Sequence, residues 1–189
     1  MTDTAVNTGR RVVLLGGSFN PPHLAHQMAL LWALSTGRGA QAWLLPCFRH
    51  PFGKALIDFE HRLAMCRLLA EPFGERVTVC AIERDLGGES RTLQTIRALI
   101  AQYPQYQFAL LIGADIVGER AKWYGFGEIE RLVDVLVVGR QGVADDQPEP
   151  ALPAISSSDI RRRIASGEAV DRVLPAPIAD YIDQQGLYR

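Results

Sequence analysis

No stretch of the 189-residue chain approaches the roughly 18 consecutive apolar residues that a membrane-crossing helix requires. Its first ten residues, MTDTAVNTGR, are polar and lack the apolar segment of a secretory signal, so a cytoplasmic protein is expected. Cysteine is scarce. Cys47, Cys66 and Cys80 are odd in number and show no CxxC spacing, which argues for reduced, mostly buried thiols rather than a disulfide framework. Cys66 shares a predicted helix with His61, but a zinc site needs about four ligands and the sequence offers no such cluster, so no metal held by protein side chains is expected. Excess charge is lacking too. With 20 basic against 21 acidic residues the net charge is −1, too small for bulk attraction to nucleic acid or an anionic membrane. Any phosphate binding must come from a local arrangement. Internal repeats and low-complexity tracts are absent, as are the GxGxxG fingerprint and the GxxxxGK[ST] loop.

The chain does have enough apolar material for a core: 48% of it is hydrophobic, which suits one domain without covalent staples. Residues 1–10 read as a flexible tail and 11–189 as a single domain. Short apolar runs at 11–15, 42–45, 77–82, 108–112 and 135–138 have the unbroken Val/Leu/Ile character of strands covered on both faces. Helical patterns at 23–35, 59–70, 92–102 and 127–132 alternate with them. The rhythm predicts an α/β fold, a Rossmann-like doubly wound parallel sheet with helices on both faces and right-handed crossovers. Ligands of such sheets bind beyond the carboxyl ends of the strands. The proline-rich, acidic segment 141–153 reads as a loop. Residues 155–189 read as a short helical C-terminal portion, with helices at 157–166 and 175–184 and a stop at Gly186.

Two loops carry the chemistry. The first, GGSFNPPHLAH at 16–26, sets two glycines where a buried strand ends and a helix begins. Glycines there let backbone N–H groups approach a phosphate, and the helix N-terminus adds a positive dipole end. Pro21 and Pro22 stiffen the turn, and His23 and His26, three apart, share one helical face. An isolated HxxH pair is more often a surface or core pair; behind a buried strand, GG and PP, a phosphate-binding role is the better reading. The second loop, ISSSDIR at 155–161, offers three hydroxyls at a helix N-terminus and Arg161 one turn in. One serine there is an ordinary cap; three with an arginine make an anion site.

With both loops in view, the chain resembles the nucleotidyltransferases whose signatures are GGxFxPxHxxH and [IV]SSTxIR, and within them the bacterial nicotinate-nucleotide adenylyltransferases. SRTLQT at 90–95, IGAD at 112–115, KWYGFGEI around Trp123 and the ending YIDQQGLYR extend the resemblance along nearly the whole chain. The resemblance implies adenylyl transfer from ATP to nicotinate mononucleotide, giving the deamido dinucleotide and pyrophosphate without a covalent enzyme intermediate. Nicotinamide mononucleotide, or another phosphorylated acceptor such as phosphopantetheine, is the alternative within enzymes. An inactive nucleotide-binding module is the alternative outside them. By position, the resemblance implies that Gly16, Gly17, Ser18, Phe19 and Asn20 contact the nucleotide. It also implies that His23 and His26 bind ATP phosphates and that Ser156, Ser157, Ser158 and Arg161 hold the departing pyrophosphate. Gly113 and Asp115 would face the adenosine, and Lys54, Arg91, Thr92 and Trp123 the mononucleotide. Mg²⁺ would enter on ATP phosphates and water. No nucleic-acid or membrane partner is implied, and a homo-oligomer is compatible with the chain.

Three departures stand out. The family's PPHK is replaced by Arg49-His-Pro-Phe-Gly-Lys54, so Lys54 takes the lysine's part, with Arg49 or His50 assisting. Arg91 stands where a Tyr is usual, and its guanidinium could pair with a nicotinate carboxylate or signal a different contact to the acceptor ring. The span between Arg140 and ISSSDIR is short, at the expense of a peripheral strand.

Overall fold

The computed structural model describes residues 10–50, 53–118, 123–142, 148 and 150–189. The strands are β1 (Arg11–Gly17), β2 (Gln41–Pro46), β3 (Val77–Val79), β4 (Gln107–Gly113), β5 (Asp134–Arg140) and β6 (Ala151–Leu152). They form one sheet in the order β3-β2-β1-β4-β5-β6, and every neighbouring pair is parallel. The direction of strand succession reverses between β1 and β4, where the two loops that follow these strands diverge and leave a crevice.

Side chains alternate across the sheet and build two cores. Val13, Leu15, Ala42, Leu44 and Leu111 point to one face. There they meet α1 (Leu24–Ser35), α2 (Phe59–Ala70), α7 (Ser157–Ala165) and α8 (Ala176–Gln184). Val12, Leu14, Leu45, Leu110 and Ile112 point to the other, against α3 (Ile82–Leu86), α4 (Thr92–Gln102) and α6 (Phe126–Leu132). The predicted Rossmann-like, doubly wound α/β fold is therefore the observed one, and the C-terminal helices close one face of the sheet.

Two local expectations are corrected, and one short helix was not anticipated. The apolar run 77–82 is not one strand: pairing with β2 ends after Cys80, whose N–H donates to Leu44 O at 2.9 Å, and Ile82 opens α3. Local signals explain the switch, since Glu83 and Asp85 sit in the first turn and Gly87, at φ 67°, ends the helix. Gly113 is followed by a one-turn helix, α5 (Ala114–Val117), that sequence periodicity did not reveal. Within the segment expected to be loop, Ala151–Leu152 pairs with Gly139–Arg140, so a peripheral strand survives at two residues. Residues 1–9, 143–147 and 149 lie outside the described residues, and with them most of the expected tail and part of that loop. No described helix is long and apolar enough to cross a membrane.

The end of the described chain folds back onto the loop after β1: the Tyr188 hydroxyl donates to Asn20 Oδ1 at 2.8 Å. Asn20 is buried, so removing its partner strands a polar atom. Tyr188→Phe is expected to lower unfolding free energy by about 1–3 kcal/mol in a denaturant titration; an unchanged midpoint would show the tether to be idle.

Candidate active site

Beyond the carboxyl ends of β1 and β4 lies a cleft of about 590 Å³. Gly16, Gly17, Ser18, His23 and His26 line it from the first loop, and Ser156, Ser157 and Ser158 from the second. Gly113 and Asp115 line it at the end of β4, and Lys54, Arg91, Thr92 and Trp123 on the remaining side. Space over Gly16 is open to 4 Å, so a side chain there would fill the cleft itself. A β-carbon on Gly113 would crowd Asp115 Oδ1, so a larger residue there would require the Asp115 carboxylate to swing aside.

His23 is the N-cap of α1 rather than a residue of its first turn. Its backbone N–H donates to His26 Nδ1 at 3.1 Å. Neutral His26 therefore carries its proton on Nε2, free to serve as a donor. The two rings stack with centroids 3.8 Å apart, and the Phe19 ring abuts His26 edge-on at 4.9 Å. Burial, then the positive charge of Arg140, lowers the pKa of His23 to about 4. Burial, then His23 and Arg140, holds His26 well below the usual histidine range. Both imidazoles are neutral at pH 7.

Phe19, Asn20 and Arg161 do not line the cleft. Phe19 and Asn20 are buried beneath the loop. Arg161 donates to Asn20 O at 2.7 Å and to Ser158 Oγ at 3.2 Å. The serines divide their work: Ser156 Oγ caps α7 by accepting from Asp159 N–H at 3.1 Å, and Ser157 Oγ donates to Pro21 O at 2.8 Å. The second loop is thus fastened to the first by two contacts, and the N-terminus of α7 opens onto the cleft between them.

On the acceptor side, Arg91 is the N-cap residue of α4. It pairs with Glu89 at 2.7 Å, and its guanidinium lies 5.9 Å from the Tyr124 ring centre. Lys54 is exposed, His50 also lines the cleft, and Arg49 does not. Trp123 meets Phe126 edge-on at 5.8 Å, with its exposure intermediate, so it serves the core and borders the cleft at once.

Three charged residues were not singled out from sequence. Arg140, at the end of β5, pairs with Asp115 at 3.0 Å and donates to Ile155 O at 3.1 Å. Its place at a strand's carboxyl end was the available signal. Buried Glu83 accepts from Phe48 N–H at 3.2 Å and from Thr95 Oγ1 at 3.1 Å, and burial raises its pKa. Arg62, 1% exposed, is the largest fully buried side chain among the described residues. Its spacing from Phe59, Leu63, Cys66 and Leu69 sets it on the apolar stripe of α2, which could have revealed it.

A sequence profile of the cytidylyltransferase-like family matches residues 14–163. A protein of Anaeromyxobacter dehalogenans (strain 2CP-C) named "Probable nicotinate-nucleotide adenylyltransferase" is 50% identical over 184 residues, covering 96% of this chain and 98% of its own. A protein of Myxococcus xanthus (strain DK1622) with the same name is 39% identical and covers 94% of each. Among solved structures, the Plasmodium falciparum nicotinic acid mononucleotide adenylyltransferase complexed with NaAD superposes at a TM-score of 0.79. It is 19% identical and spans 95% of this chain and 97% of that one, a likeness of fold. A core profile matched through both signature loops, together with half-identical relatives of nearly equal length, leads to one conclusion: the chain belongs to the cytidylyltransferase-like nucleotidyltransferases, in the nicotinate-nucleotide adenylyltransferase family.

Proposed function

We infer that the protein transfers the adenylyl group of ATP to nicotinate mononucleotide, forming the deamido dinucleotide and releasing pyrophosphate. The observation that carries this reading is the convergence of the neutral His23–His26 stack and the N-terminus of α7 on one cleft, with Lys54, Arg91, Thr92 and Trp123 on its other side. The name borne by the relatives supplies the acceptor. In the reaction a phosphate oxygen of the mononucleotide attacks the α-phosphorus of ATP. A new P–O bond forms there as the bond to the β-phosphate oxygen breaks, and the electron pair leaves with pyrophosphate.

The attacking oxygen is already ionised, so no general base is called for. What the reaction needs is alignment of two anions and donors aimed at the charge that builds on the α-phosphate. His26 offers Nε2–H for that purpose, and His23 backs it. Hydroxyls and N–H groups at the start of α7 hold the leaving pyrophosphate, and Arg161 braces that helix start against Asn20. Asp115, freed from Arg140, accepts from ribose hydroxyls. Two carboxylates line the cleft among the described residues, Glu83 and Asp115, and both are engaged with protein groups. That donor set fits Mg²⁺ brought in on ATP phosphates and water, where it would neutralise phosphate charge.

An acceptor panel tests the reading directly: pyrophosphate release is expected from ATP with nicotinate mononucleotide and at a lower kcat/KM with the amide, and no turnover with either would refute it. His26→Ala is expected to lower kcat about 100-fold or more, equal to about 3 kcal/mol of lost transition-state stabilisation, while ATP still binds by calorimetry. The depressed basicity of His23 predicts a pH signature as well. Between its unfolded value of about 6.5 and its folded value of about 4, the unfolded chain binds the extra proton. Stability of the ligand-free protein is therefore expected to fall on acidification through this window, with His23 accounting for up to about 3 kcal/mol. His23→Asn, compared with wild type by urea unfolding at pH 7 and pH 5, should show a shallower loss; equal slopes would contradict the assignment.

A further inference from the structure

Arg62 has no counterpart in the mechanism above, yet it is buried between the two halves of the cleft. Its guanidinium donates to four backbone carbonyls. Nη1 reaches Ser18 O at 3.0 Å, in the loop after β1, and Cys47 O at 2.6 Å, in the loop after β2. Nη2 reaches Phe48 O at 3.3 Å, and Nε reaches Ile57 O at 3.1 Å, ahead of α2. The Phe59 ring lies 5.3 Å away and packs the cation in place.

Residues 47–49 are gripped from the opposite side as well. Phe48 N–H is shared between Ser90 Oγ at 2.9 Å and Glu83 Oε2 at 3.2 Å. Ser90 Oγ also accepts from Arg49 N–H at 3.3 Å, and Ser90 N–H donates to Arg49 O at 2.9 Å. Glu83 in turn is fixed to Thr95 on α4. One continuous chain of hydrogen bonds therefore runs from Ser18, beside the phosphate cradle, through Arg62 and the 47–49 backbone to Glu83, Ser90 and the start of α4. Ser18, Cys47, Glu83, Ser90 and Thr95 all line the cleft.

We propose that Arg62 is a positioning residue for adenylyl transfer: its planar fork sets the separation between the donor loop at Ser18 and the acceptor-side loop at Cys47–Phe48. The proposal rests on the reading of the cleft as an adenylyl-transfer site. That reaction has no covalent anchor, so the rate depends on how well the attacking oxygen and the α-phosphorus are aligned. A misplacement of about 1 Å costs about 100-fold in rate. A planar guanidinium can hold several carbonyls at fixed angles; an ammonium is a point charge on a flexible stem and cannot.

The test is Arg62→Lys, assayed for kcat and KM with both substrates, with active molecules counted by calorimetric binding of a non-hydrolysable ATP analogue. The expected result is kcat per active molecule about 100-fold lower, with both KM values within about threefold of wild type. A purely structural role would lower the number of active molecules and the melting temperature but leave kcat per active molecule unchanged, and that outcome overturns the proposal. Ser90→Ala loosens the same backbone from the other side. It should lower kcat about tenfold, and the double variant should lose less than the product of the two single effects. If Arg62→Lys does not fold, Ser90→Ala decides alone: an unchanged kcat, or a loss confined to KM, refutes the role. Absence of turnover in the wild type with every mononucleotide would instead sink the adenylyl-transfer reading.

Discussion

A loop that offers its N–H groups to an anion must find partners for its carbonyls on the other side, and the loop after β1 depends on that requirement. Ser18 O accepts from Arg62, Asn20 O from Arg161 and Pro21 O from Ser157. These partners come from α2 and α7, two helices on the same face of the sheet. Each satisfied carbonyl removes a penalty of order 1–3 kcal/mol that a buried unpaired group would carry. The loop is therefore held from behind by cations and a hydroxyl, which leaves its front to the phosphate it is proposed to bind.

This arrangement separates local from global electrostatics. The chain is nearly neutral overall, and the histidines at the heart of the cleft are neutral as well. In the proposed reaction, attraction for ATP comes from dipoles and N–H donors preset by the fold, with Lys54, Arg91 and Arg140 also lining the cleft. Donors fixed in advance need little rearrangement when charge develops on the α-phosphate, which is why such sites accelerate phosphoryl chemistry without a nucleophile of their own.

Most of the architecture was legible because buried parallel strands and amphipathic helices leave periodic apolar signals, and because both signature loops join a strand end to a helix start. What stayed hidden has a common physical cause. Ile82 belongs to a run that reads as strand, and only the acidic first turn and Gly87 mark it as helical. Glu83, Arg140 and Arg62 act through partners far away in sequence, and a solitary charge announces no partner. Arg161 was legible as important, but not as a brace: the anion-site reading gave it to a ligand, whereas its guanidinium holds Asn20 O and Ser158 Oγ. The serines show the same mixture, with Ser156 performing ordinary capping that the motif alone could not distinguish from ligand contact.

The tether from Tyr188 to Asn20 spans 168 positions, and those from Arg161 and Ser157 span 141 and 136. During synthesis the glycine loop emerges early, and its sheet neighbours through β4 can follow it into place. Of its rear partners, Arg62 follows 44 positions after Ser18, whereas Ser157, Arg161 and Tyr188 follow their partners by 136 positions or more. The back of the glycine loop is thus completed only when the 155–161 segment and Tyr188 are in place, and a chain that carries that loop alone lacks those contacts.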